Sequence, residues 1–218
     1  MPREAPGPVS AAGLAREAAI LAGAGAAILL QVAHRPIGAG VATHSRFTED
    51  PMRRLRHTLG YIYAVTLPEA AGARDAVVAR VRAAHAPVRG ADHEGRPYNA
   101  ADPDAQLWVA ATLYWAGEQV RRRLWGALDP ADADRLYRGF APLATSLEVP
   151  AAAWPADRAA FAAYWDARIA GLEVTDDARA VAVDLVPDAG AIVRCVWHVT
   201  PPSGLSVTDL NDLSLPSL

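Results

Sequence analysis

Apolar segments of this chain are interrupted by histidines, arginines and a threonine, nearly all within the first hundred residues. Leu29-Leu30-Gln31-Val32-Ala33-His34 ends one apolar run, and Arg53-Arg54-Leu55-Arg56-His57-Thr58 opens the next strong helical segment. His85 falls on the stripe Val77, Val81, Ala84, His85 and Val88, which has the spacing of one helix face. Polar groups inside an apolar bundle cost free energy unless something pairs with them. A metal centre, an iron porphyrin included, is one such partner.

The same pattern sets out the elements. Residues 1–13 are rich in Pro, Gly and Ala and read as a frayed arm. A helix is predicted over 14–34 and ends at Arg35-Pro36, because the residue before proline is pushed out of the α region. A short second helix follows over 37–45, then a polar connection, a third helix over 52–67 and a fourth over 69–86. Residues 89–101 read as a polar loop. Asp102-Pro103 and Asp129-Pro130 each combine an N-cap with proline at the first helical position, opening helices to about 125 and 147. Trp154-Pro155 opens another to about 172, and 175–186 is a shorter piece. Beyond Pro187 the periodicity stops: 193–200 could be extended, and 201–218 is loop-like, either mobile or laid over a hydrophobic surface through its isolated leucines. The reading is an all-α, single-domain helical bundle over 14–187, with a buried central helix at 18–30 and an irregular tail over 188–218.

Composition agrees. Hydrophobic residues make up 52% of the 218 positions while aromatics are 7%, the balance being dominated by alanine, the best helix former. A net charge of −3 without a long basic tract argues against phosphate-neutralising nucleic-acid binding. One cysteine, Cys195, excludes an internal disulfide framework and fits a reducing, cytoplasmic compartment. The uncharged run 18–30 is shorter than the ~20 residues that a membrane span needs. It reads as a buried helix rather than a stable insertion, with a membrane-associated or exported form as the alternative.

Six histidines are present, and five of them (His34, His44, His57, His85 and His93) precede residue 100. Arg54, Thr58 and Tyr61 share one helix face by their i, i+4, i+7 spacing. That face is either a solvated polar edge or a cluster pointing into a pocket, with Arg54 pairing an anionic ligand group and Thr58 near a reacting centre. His85 is either a satisfied core histidine or a neutral imidazole of the kind that ligates iron. His34 either caps its helix or serves chemistry, and His44 carries the same two readings. His93-Glu94 lies in a Gly-rich loop and reads as solvated. Metal-peptidase, nucleophile-elbow, P-loop and dinucleotide motifs are absent.

The order of these pieces resembles one family. Leu29-Leu30-Gln31-Val32-Ala33-His34, Gly40-Val41 with His44-Ser45, Arg54 with Thr58, Tyr61 and Tyr63, Arg82-Ala83-Ala84-His85 with Val88-Arg89-Gly90, and Gly95-Arg96-Pro97-Tyr98 before Asp102-Pro103 and Leu107-Trp108-Val109-Ala110-Ala111-Thr112 follow one another as in the oxygenases of the latex clearing protein (rubber oxygenase) and fungal mycophenolic-acid pathway family. The resemblance spans about 14–185. It implies an all-helical fold carrying haem b, with His85 matching the iron ligand and Arg54 and Thr58 matching the Arg-x-x-x-Thr helix. Dioxygen-dependent oxidation of apolar substrates is the activity it implies. The rubber enzymes carry a lysine where this chain has His57, and no match to their catalytic glutamate falls in His34-Arg35-Pro36-Ile37-Gly38. Further helices usually follow where this chain continues past Pro187.

The expectation is therefore a haem b-dependent oxygenase, or a related oxidative enzyme, acting on a small apolar substrate with dioxygen or peroxide. His85 would bind iron, Arg54, His57 and Tyr61 would hold the cofactor, and His34, His44 and Thr58 would serve the distal side. A homo-oligomer is compatible with this reading. Two rivals stand beside it: a non-catalytic haem- or lipid-binding protein, and a non-haem metal enzyme using His34, His44 and His85.

Overall fold

Ser10 starts the helical chain: its hydroxyl accepts the Gly13 N–H at 3.1 Å and caps α1, Ala11–Ala15. The structure, a computed structural model, describes residues 7–44 and 51–185, and of residues 51–55 and 184–185 the backbone alone. The segments expected to be extended or loop-like past 186 lie outside the described residues. So do Ser45 and most of the polar connection after it.

The expected helix over 14–34 is broken into three. After α1 comes a 3-10 turn, Ala18–Gly23, and then α2, Ala24–Ala33. The first break falls at Glu17, whose backbone is extended at φ −83° and ψ +118°. The frayed arm is also shorter than expected, because Ala11 is buried against Gly139, where a Cβ would stand 2.8 Å from the Ala11 Cβ. α3 runs Arg35–His44, accepting Pro36 in its first turn, where the missing N–H costs nothing. α4 is Pro51–Thr66, and a 3-10 turn, Pro68–Ala73, precedes α5, Arg74–His85.

The polar loop over 89–101 contains a small hairpin, β1 (Arg89–Ala91) and β2 (Pro97–Asn99), paired antiparallel with Gly90 opposite Tyr98. Gly90 is required there, since a Cβ would fall 2.7 Å from the Tyr98 hydroxyl oxygen. α6 (Pro103–Trp125) and α7 (Pro130–Thr145) open as their Asp-Pro signals predict, with Asp102 accepting the N–H of Asp104 and Ala105, and Asp129 that of Asp132. α8 begins later than Trp154-Pro155 suggests. Asp157 is its cap, accepting the Ala160 N–H at 2.7 Å, and the helix spans Arg158–Ala170. α9 is Asp176–Leu185, with Thr175 accepting the Ala178 N–H.

The fold is largely all-α, a single-domain bundle, but its central helix is α6, not the 18–30 run. Trp108 and Thr112 on α6 are fully enclosed, whereas Leu21 in the expected central segment is 42% exposed. The main core joins α6 to α1, α4, α7 and α8 through Leu14, Tyr61, Tyr114, Tyr137, Phe140 and Phe161. A smaller cluster of Val32, Val41, Ala178 and Val181 holds α2, α3 and α9 together. No single helix among the described residues is long and apolar enough to cross a membrane.

Candidate functional site

α4 and α5 pack against each other, joined where Arg74 Nη2 donates to the Val65 carbonyl at 3.0 Å. On α4, Thr58 is half-buried and lines an apolar cleft of about 60 Å³ with Ala15, Ile20, Ala27, Ile62 and Ala116. A second hydroxyl in that cleft, Thr66, donates to the Ile62 carbonyl at 2.7 Å; Thr58 makes no such bond among the described residues. Thr58 is thus the polar group that the cleft offers to a ligand.

Tyr61 shares the helix but not the cleft. Its ring is 8% exposed and its hydroxyl donates to the Leu143 carbonyl at 2.8 Å, fastening α4 to α7. The phenol is therefore spent on structure, and burial pushes its proton affinity well above the usual value. His57 is exposed, and the Arg54 side chain lies outside the described residues. On α5 the stripe is rotated from expectation: Ala84 is exposed and Val78 is the buried residue, while His85 is half-buried with its Nδ1 shielded from solvent.

The other two histidines have separate surroundings. His44 Nε2 lies 3.0 Å from the Tyr98 hydroxyl, edge-on to that ring, and so ties the end of α3 to the hairpin. His34 is the C-cap of α2, packed 6.4 Å from the Trp108 ring, with Nε2 3.9 Å from Asp104. Its Nδ1 is buried without a hydrogen-bond partner. Burial first, and Arg168 second, lower its pKa, with Asp102 opposing them, so the imidazole favours its neutral form. His93 is exposed beside Glu94, as expected for the loop. Among the described residues no group of three His, Cys, Asp or Glu side chains could hold a metal ion, so His34, His44 and His85 are not assembled as a ligand set.

Several residues that position this region carried no assigned role in the sequence. Gln31 and Thr112 are buried and hydrogen-bonded to each other at 3.0 Å. Trp108 Nε1 donates to the Leu30 carbonyl at 2.9 Å, and Trp108 stacks on Trp165, which stacks in turn on Trp115. Arg35 gathers Asp92, Glu94 and Glu173 around one guanidinium. A glutamine inside an apolar run was the one available signal; the partners of Arg35 are too distant in sequence to be read.

The haem implied by the resemblance can be tested against this geometry. The two best-formed cavities among the described residues measure about 60 and 240 Å³, and neither is lined by His85. Small-molecule pockets run to ~300–1,000 Å³. Nor do the small residues near α2 leave a slot for a flat ligand: a Cβ on Gly23 would stand 3.1 Å from the Ala116 carbonyl oxygen, so α6 already occupies that surface. The described residues supply an imidazole and a hydroxyl but do not fit an enclosed porphyrin in this arrangement.

Comparison with known proteins gives the relationship. An uncharacterised protein of Mycobacterium bovis is 35% identical over 141 residues, covering 63% of this chain and 55% of the relative. An uncharacterised protein of Mycobacterium tuberculosis matches with the same identity and coverage. The chain thus spans about half the length of these curated relatives. No solved structure matches. Residues 13–211 match the family described as ER-bound oxygenase mpaB/B'/Rubber oxygenase, catalytic domain, and the chain belongs to that family.

Proposed function

We propose that this protein is an oxidative enzyme of the oxygenase type, acting on a small apolar substrate with dioxygen or peroxide as co-substrate. Family membership across most of the chain is the observation that carries the reading. The cleft beside Thr58 supports an apolar substrate in character: Ala, Ile, Leu and Phe side chains line it and one hydroxyl is left unspent, while its volume of about 60 Å³ admits only the end of a hydrocarbon chain. Haem b is the cofactor that the resemblance implies, with His85 matching the iron ligand and Arg54 the Arg of its helix, although the described residues form no enclosed slot for it.

The visible spectrum and metal content of the purified protein test this reading. A Soret band with stoichiometric iron is expected. A colourless protein with stoichiometric zinc or non-haem iron would overturn it, and a metal-free protein carrying lipid would make it a binding module.

A further inference from the structure

α6 presents two faces to two different voids. Leu113, Ala116 and Gly117 look into the apolar cleft, whereas Tyr114, Glu118, Arg121 and Arg122 line a cavity of about 240 Å³ at the turn into α7. We propose that this second cavity binds a small molecule bearing an oxyanion, a carboxylate or a phosphate monoester, through Tyr114, Arg121, Arg122 and Arg158.

Tyr114 is 6% exposed, and its ring is held edge-on by Tyr137, Phe140 and Phe161 at centroid distances of 5.1, 5.4 and 4.8 Å. Its ring is buried, but its hydroxyl, which bonds nothing among the described residues, is open to the cavity and to the water in it. A phenol held rigidly by its ring and bonded to nothing in the protein is a donor that water, or a ligand displacing that water, can use.

Of the three arginines, Arg121 is built into the wall, whereas Arg122 and Arg158 are exposed. Arg121 is 5% exposed, and it donates from Nε to the Pro8 carbonyl at 3.1 Å and from Nη1 to the Gly126 carbonyl. Gly126 has φ +80°, a conformation that side-chain-bearing residues rarely adopt, and this turn brings its carbonyl to Arg121. Pinned at two nitrogens, the guanidinium keeps Nη2 free. Arg158 is oriented by Asp134 Oδ1 at 2.6 Å. Arg122 makes no hydrogen bond or ion pair among the described residues.

Three guanidinium groups thus meet one lining carboxylate, Glu118, and Asp134, which pairs Arg158 from outside the lining, so one net positive charge faces the cavity in a chain whose overall charge is negative. Arginine forks match carboxylate and phosphate oxygens, and a phenol O–H completes a donor set with few competing acceptors. The volume limits the ligand to a compact one.

Calorimetric titration of the full chain with inorganic phosphate and with succinate, at constant ionic strength, tests the proposal. Saturable binding of at least one probe is expected. Tyr114→Phe and Arg122→Gln should each weaken it by roughly ten-fold, the effect of losing about one strong hydrogen bond. Arg123→Gln, exposed and outside the cavity lining, should bind as the parent does. Because the Tyr114 hydroxyl bonds nothing in the protein, Tyr114→Phe should keep the parent melting temperature, which separates a lost site from a lost fold. Absence of saturable binding to both probes, unchanged affinity in either cavity variant, or equal weakening by Arg123→Gln would overturn the proposal.

Discussion

The side-chain amide of Gln31 donates to Thr112 Oγ1 at 3.0 Å, and the Thr112 hydroxyl donates onward to the Val109 carbonyl at 2.8 Å. Both side chains are buried, and the bond joins α2 to α6 just ahead of the α2–α3 elbow at His34. Thr112→Val keeps the shape and removes the acceptor, leaving the amide without its partner. The expected cost is about 1–3 kcal/mol in urea unfolding. A loss within experimental error would mean that the two helices are held by packing alone.

The elbow itself depends on Gly38. A Cβ there would lie 2.5 Å from the Val32 carbonyl oxygen, a backbone atom that cannot swing aside. Gly38→Ala should therefore destabilise the fold by about 1–3 kcal/mol despite alanine's better helix propensity. A gain in stability would show that α2 and α3 have slack at their junction.

His34 gives the fold a pH dependence. Burial, then Arg168, depress its pKa in the folded state, while the unfolded chain protonates it near the ordinary value of about 6.5. Below that value the unfolded state binds more protons than the folded one, so stability falls as the pH drops toward the folded pKa and levels off beneath it. His34→Gln should flatten this slope. Urea midpoints measured between about pH 7.5 and pH 5 check it, and parallel curves for the two proteins would refute the assignment.

Arg35 and Asp92 make a further test of how the hairpin is anchored. Arg35 Nε donates to Asp92 Oδ2 at 2.7 Å, and Asp92 Oδ1 accepts the N–H groups of Glu94 and Arg96 at 2.9 Å. The Asp92 side chain is 3% exposed, whereas Glu173, bonded to the same arginine, is 63% exposed. Asp92→Ala should lower the melting temperature clearly more than Glu173→Ala, because only the former strips acceptors from both the guanidinium and the loop. Equal shifts would place the ion pairs on a solvated surface.

Local signals built on an acidic cap or a proline were the more dependable, although Trp154-Pro155 opened no helix and α8 waits for the Asp157 cap. Asp102-Pro103, Asp129-Pro130 and Pro68 mark boundaries through chemistry confined to a few residues, and the structure follows them. The position of the central helix was not local. The alanine and glycine run at 18–30 is apolar enough for a core, but burial depends on which helix the others surround. Trp108, Tyr114 and the rest of α6 have the bulk to be surrounded. The candidate site divides in the same way. The i, i+4, i+7 spacing grouped Thr58 with Tyr61 but did not decide between a solvated edge and a pocket, and the Tyr61 bond to Leu143 and the His44 bond to Tyr98 join residues 82 and 54 positions apart, which periodicity does not report.

Haem titration of the purified chain, monitored at the Soret band, tests the central claim most directly. The account predicts saturable one-to-one binding by the parent protein. His85→Ala should lose most of that affinity while keeping its far-ultraviolet helical spectrum. Saturable binding with an unchanged Soret position and affinity in His85→Ala, or no saturable binding by the parent, would contradict it.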